Sequence, residues 1–208
     1  MKHIVTYTET YTRTYEVDEC NSKEEAEEKL REDKPLQRRK SIIAIIKNNQ
    51  TDEYLCEKAE GRDCQSFVQG GIEGEQTPEE AALREIKEET GYLDVKIDKV
   101  SNFKIINHFY AGYKGVNRFS YLNIVFGRLN TDKRNEITEE EKHKQKVLWT
   151  KKNELNDFIN LKTNKFALDI LLNGEKAYTG DGLMITGDEN NEKPNTVVRQ
   201  IIEEKYCL

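Results

Sequence analysis

The sequence predicts an α/β domain, and three observations carry that expectation. Ser41-Ile-Ile-Ala-Ile-Ile46 is apolar on both faces and rich in β-branched side chains, the pattern of a central strand covered on both sides. The segment from Pro78 to Thr90 has the start and stop signals of one well-delimited helix. Segments of strand composition, Val95 to Val100, Phe103 to Phe109 and Phe119 to Phe126, follow that helix.

A chain of 208 residues has room for one main domain with extensions. Although 35% of its residues are charged, the apolar ones are grouped in periodic runs, so a folded domain is expected. The net charge of -6 disfavours a general nucleic-acid surface, which needs a basic stripe strong enough to overcome that field. Lys34, Arg38, Arg39 and Lys40 come nearest to one and read as a solvated basic stretch ahead of a strand. Cys20, Cys56, Cys64 and Cys207 have no metal-ligand spacing. Met1 to Val17 holds no continuous apolar stretch, so neither a signal peptide nor a membrane span is expected. Reduced thiols and a cytoplasmic location fit these features.

From Ile4 to Val17, Val5, Tyr7, Tyr11, Tyr15 and Val17 alternate with a largely threonine face, which reads as one long strand. Ser22 and Glu25 offer a capping box for a helix running to about Arg31, closed by Pro35. Residues 1–35 are therefore expected to form a strand-helix extension. Asn48, Asn49 and Asp52 supply a turn after the central strand, and Tyr54-Leu55-Cys56 begins its hairpin partner. Val147-Leu148-Trp149 is a short strand, after which Lys152 to Ile159 and Lys165 to Leu172 have helical spacing. The main domain is expected to span residues 36–172. Residues 173–208 form a C-terminal extension with turns at Gly180-Asp181-Gly182 and Gly187–Asn190, and an amphipathic helix is expected from Thr196 to Tyr206.

The helix signals at 78–90 are specific. Thr77 is placed to cap, Pro78 suits the first helical position, Glu80 completes a capping box, and Gly91 follows the last turn. At about 100° per residue, Glu85, Glu88 and Glu89 share an arc of roughly 100° near the helix C-terminus. Carboxylates so placed repel one another and oppose the helix dipole, each effect amounting to a few tenths of a kcal/mol, ~0.3. Two readings follow. They are solvated surface charges screened by Arg84 and Lys87, or they are oxygen ligands for a hard divalent ion. The helix alone does not choose between them.

Gly70, Arg84, Glu85, Ile86, Glu88, Glu89, Gly91 and Tyr92 match the Nudix box, Gly-x5-Glu-x7-Arg-Glu-U-x-Glu-Glu-x-Gly-U with U hydrophobic, and the segment resembles that family. The departure is Gln76, which stands where the box has its first Glu. The resemblance implies an α/β/α sandwich with a mixed sheet over about residues 40–160. It implies cleavage of the diphosphate linkage of a nucleoside diphosphate derivative or nucleotide with Mg2+, or with Mn2+ in its place. By residue it assigns Glu85, Glu88 and Glu89 to metal coordination or base duty, and Arg84 to orienting a carboxylate. Gly70 and Gly71 would bring main-chain amides close to the substrate. Arg118, Phe109, Tyr110 and Tyr113 are candidates for contact with a base or phosphate, and Arg118 is the one assigned to substrate binding. Glu139-Glu140-Glu141 stands where a loop base would lie, though solvated helix or loop charge is the preferred reading of it.

A shorter likeness concerns Ala177-Tyr-Thr-Gly-Asp-Gly-Leu-Met-Ile-Thr-Gly-Asp188, which resembles the end of the editing insertion of leucyl-tRNA synthetases. It implies an alternative, a Nudix-fold binding or accessory module without turnover, tied to tRNA or a synthetase and its editing, in which Gln76 marks relaxed catalysis. The N-terminal strand is a further candidate for pairing with a second subunit, because an unpaired edge invites strand addition.

Overall fold

The computed structural model describes residues 3–8, 12–17, 21–22, 34–61, 63–111, 114–174, 182–186 and 196–199. The first two strands are β1, His3–Thr8, and β2, Thr12–Val17, paired antiparallel from His3↔Val17 to Thr8↔Thr12. The single strand expected from Ile4 to Val17 is thus a hairpin. Period-two alternation is the same in a straight strand and in one folded on itself, and folding back pairs the backbone groups that a lone strand would leave open. The expected helix beyond Ser22 lies outside the described residues.

The main sheet begins with β3, Leu36–Asn48, followed by β4, Glu53–Ala59, β5, Gln65–Ser66, and β6, Val68–Gly71. Helix α1, Pro78–Thr90, leads to β7, Val95–Ala111, and β8, Val116–Leu129. Then come α2, Glu139–Lys144, β9, Gln145–Lys151, a 3-10 turn at Lys152–Glu154, α3, Leu155–Phe158, and α4, Lys162–Asn173. The tail contributes β10, Gly182–Thr186, and β11, Thr196–Arg199. In space the order is β11-β10-β7-β8-β3-β4-β5, with β6 against β3 and β9 against β4. The sheet is mixed: β3 runs parallel to β8 and β10 parallel to β7, while the other pairs are antiparallel.

Residues 41–46 of β3 are all buried, as a strand covered on both sides must be. Alternate side chains enter different cores. Ile43 and Ile45 pack with Phe67, Leu155, Leu168 and Ile170, under α3 and α4. Ile42, Ala44 and Ile46 pack with Ala81, Ala82, Ile86 and Tyr92, under α1. Period two in the strand thereby becomes an α/β/α layering. Ile86 is fully buried and holds α1 to the sheet; truncating such a side chain to Ala costs about 2–5 kcal/mol.

The separate strands expected at Val95 to Val100 and Phe103 to Phe109 are one 17-residue strand, β7, with irregular register between Ile97 and Lys99 and between Val100 and Lys104. Bulges interrupt the hydrophobic alternation while the pairing continues, so the sequence shows a break where the backbone has none. In the tail, Thr196–Arg199 is a strand, which corrects the helix expected to start there. Val197 and Val198 are β-branched and lie opposite Ile185 and Met184 of β10, whose exposed edge supplies the partner. The rest of that expected helix lies outside the described residues, as do Gly180, Asp181 and the Gly187–Asn190 turn. Among the described residues no helix is long and apolar enough to cross a membrane.

Candidate active site

Helix α1 forms as its signals require. The Thr77 hydroxyl accepts from the Glu80 amide at 3.2 Å, and the Glu80 carboxylate accepts from the Thr77 amide at 2.9 Å. Gly91, at φ 77°, closes the other end, its amide donating to the Lys87 carbonyl at 3.1 Å. Gln76 accepts through its side-chain oxygen from the Glu73 amide at 3.1 Å and so closes the loop ahead of the helix. A glutamate oxygen could accept that bond equally, so this contact survives the departure from the box.

The last residues of β6 pair with β3 as Ile42↔Gly70 and Ser41↔Gly71, which seats the glycine pair beside α1. A Cβ on residue 70 would fall 1.9 Å from the Glu85 carboxyl carbon, and one on residue 71 would fall 2.6 Å from Arg39 Nη2. Arg84 locks this junction with its fork of donors. Nη2 donates to the Gly71 carbonyl and to Glu85 Oε1, each at 2.7 Å, while Nη1 donates to Glu88 Oε2 at 2.8 Å. Burial lifts the Glu85 pKa above the ordinary carboxylate range against the opposing pull of Arg84. The predicted residues Gly70, Gly71, Arg84, Glu85 and Glu88 thus meet at one place.

Glu89 points to a different neighbour, one the sequence reading did not single out. Glu57 on β4 is only 4% exposed, lies against the Glu89 carboxyl, and accepts from Gln145 Nε2 at 2.9 Å. Oε2 of Glu89 is buried without a hydrogen-bond partner. Both pKa values are raised, first by burial; the contact with Glu89 pulls Glu57 back down, the charge of Glu57 pushes Glu89 further up, and the charges of Glu85 and Glu141 raise both. The signal that could have found Glu57 is its phase: two residues from Leu55, it shares the face of β4 that enters the α1 core. An acid at such a position asks for a reason.

Of the acidic triple, Glu139 and Glu140 are exposed and paired with Lys142 and Lys144. Glu141 is more buried and bonds to Lys144 at 2.7 Å, while its charge reaches Glu57 and Glu89. Arg118 is buried on β8 and donates to Gln37 at 2.9 Å, at the same end of β3 as Arg39. Phe109 and Tyr110 fall on β7, and Tyr113 lies outside the described residues. Trp149 donates from Nε1 to the Tyr92 hydroxyl at 2.7 Å, a packing role beneath the helix end.

Among the described residues no three acidic, His or Cys side chains stand close enough to chelate one ion in their present rotamers, because Arg84 holds Glu85 and Glu88. The donor set still fits a hard divalent cation: every candidate ligand is a carboxylate oxygen, and the buried Oε2 of Glu89 has no hydrogen-bond partner.

Sheet, helix and junction together define an α/β/α protein with a carboxylate-rich site where a glycine loop enters a helix. A NUDIX domain model matches residues 37–170, more than half of the chain, and the protein belongs to that family. The chain is 43% identical over 49 residues to an RNA pyrophosphohydrolase of Marinomonas sp. (strain MWYL1), covering 24% of this chain and 30% of that one. It is 42% identical over 57 residues to an RNA pyrophosphohydrolase of Stutzerimonas stutzeri (strain A1501), covering 26% and 36%. It therefore spans about a third of the length of these curated relatives. Among solved structures, a MutT protein from Bacillus halodurans is similar in fold, with a TM-score of 0.50 and 16% identity over 76% of this chain and 97% of that one.

Proposed function

We propose that the protein is a divalent-metal-dependent pyrophosphohydrolase that cleaves the diphosphate linkage of a nucleoside diphosphate derivative or nucleotide. The observation that carries this reading is the Arg84 fork, which ties Gly71, Glu85 and Glu88 into one unit at the mouth of the loop. Residues far apart in the box are thereby joined at one place.

Glu85, Glu88 and Glu89 would hold Mg2+ or Mn2+, which when bound would spread the negative charge that develops on phosphoryl oxygens. Arg84, whose fork spans Glu85, Glu88 and the Gly71 carbonyl, would keep a positive charge beside these carboxylates as they turn from it towards the ion. The absence of side chains at Gly70 and Gly71 leaves the backbone open to a diphosphate. Half-buried Arg39, beside Gly71 and Glu85, adds positive potential next to that loop. The RNA pyrophosphohydrolase names of the partial relatives place a 5'-phosphorylated RNA end beside free nucleotides in the set of substrates to try. We place the enzyme in the cytoplasm.

The test is phosphate or nucleotide release from nucleoside diphosphate derivatives, nucleoside triphosphates and a 5'-triphosphorylated RNA, with Mg2+ or Mn2+, comparing wild type with Glu88→Gln. Turnover lost in the variant supports the hydrolase and gives its substrate class. Metal binding without turnover on any of them would favour the accessory-module reading, which rests on the likeness of residues 177–188 to a synthetase insertion.

A further inference from the structure

We propose that Glu57 is an additional cation ligand of this site, sharing a divalent ion with Glu89 from the strand side of the cleft. The inference rests on the metal-dependent reading above and extends it to a residue outside the Nudix box.

Three observations carry it. Glu57 is 4% exposed, so its carboxyl has been taken out of water almost completely. It abuts Glu89, whose Oε2 is itself buried without a partner. The cationic side chain nearest to the helix carboxylates, Arg84, is committed to Glu85, Glu88 and the Gly71 carbonyl. Two carboxyls held together out of water are tolerated only if a proton or a cation lies between them, since a buried charge without a counter-charge is strongly unfavourable.

A proton would satisfy the pair bond but leave Glu89 Oε2 bare. A divalent cation would engage oxygens of both residues and has further coordination positions for water or phosphate. Gln145 supports the second arrangement. Its Nε2 donates to Glu57 Oε1 at 2.9 Å, which fixes the carboxyl plane and leaves Oε2 for the shared ligand. Gln145 begins β9, whose pairing with β4 sets it opposite Ala59, so the sheet positions the orienting amide.

The experiment uses the full chain, stripped of metal, with Mn2+ binding followed by loss of the free-ion EPR signal and with thermal unfolding measured in EDTA and in Mn2+. Glu57→Gln keeps the shape and removes the charge. It is expected to weaken Mn2+ affinity at least about tenfold, to raise the midpoint in EDTA and to shrink the stabilisation by Mn2+. Gln145→Met, which removes only the orienting bond, is expected to weaken Mn2+ binding by a smaller factor and carries the test if Glu57→Gln fails to fold. Unchanged affinity in the folded variants would overturn the proposal. So would midpoints lowered equally with and without Mn2+, the mark of a proton-sharing pair that only ties strand to helix. The hydrolase reading fails separately: Mn2+ binding sensitive to Glu57 with no turnover on any substrate removes the hydrolase and leaves this ligand in place.

Discussion

Residue 70 has no room for a side chain, because a Cβ there would lie 1.9 Å from the Glu85 carboxyl carbon. Glycine at this position is thus a condition of where Glu85 sits, and the glycine loop and the helix carboxylate are one unit.

Gly70→Ala is accordingly expected to push Glu85 off its Arg84 contact while leaving both cores intact. Displacement of a reacting group by about 1 Å lowers turnover on the order of 100-fold. The check is kcat against far-UV circular dichroism. Loss of turnover with a native spectrum is the expected pair, and wild-type kcat would show that Glu85 is not positioned by this contact.

Arg84→Lys keeps the charge and loses the fork. A lysine ammonium cannot hold Gly71, Glu85 and Glu88 at once with planar geometry, so kcat/KM is expected to fall about 10- to 100-fold. Steady-state kinetics at saturating Mg2+ provide the measurement. A variant within twofold of wild type would mean that charge alone, and not the fork, is what the site uses.

The buried pair makes stability depend on pH. Glu57 is pushed up to about 8 and Glu89 to about 10, burial being the first cause in each. A carboxyl whose folded pKa is raised keeps its proton in the native state after the unfolded chain has lost it. Its contribution is complete below the ordinary carboxylate range and is lost as pH rises through the folded value. In EDTA the unfolding midpoint is therefore expected to fall as pH rises from about 5 to about 10. Mg2+ is expected to flatten that fall, because the cation replaces the proton. A midpoint rising with pH in EDTA would contradict the pairing of Glu57 with Glu89.

Tyr92→Phe tests the support under the helix end. The Tyr92 hydroxyl accepts from Trp149 Nε1 at 2.7 Å and also from the Arg134 guanidinium, whose Cζ stands 3.9 Å from the Tyr92 ring centroid. Removing the oxygen leaves half-buried Trp149 Nε1 without its acceptor, while exposed Arg134 can turn to water, so the cost is about 1 kcal/mol. Urea unfolding should show a lower midpoint with the same slope. No change would assign the hydroxyl no structural share.

The elements whose signals are local were legible. Helix α1 has its cap, its Pro78 and its terminal Gly91 written in adjacent residues, and the short, β-branched Ile42 to Ile46 run has the signature of a strand covered on both faces. The misread elements are those where pattern and pairing separate. Alternation from Ile4 to Val17 does not record where the chain folds back, the bulges of β7 mimic an interruption, and Thr196–Arg199 takes its conformation from the edge of β10. An amphipathic run of β-branched residues adopts strand or helix according to the partner at hand.

By itself the sequence determined the α/β class, the limits of α1, and the spacing that sets Glu85, Glu88 and Glu89 on neighbouring faces of that helix, since helical geometry follows from adjacent residues. Only the tertiary structure decided that Glu89 faces Glu57 of β4, that Gln145 of β9 orients Glu57, and that Gly70 lies against Glu85. The reason is one of range. Glu57 and Glu89 are brought together by the packing of a helix on a sheet, and the position of that helix is set by buried contacts from strands distant in the chain.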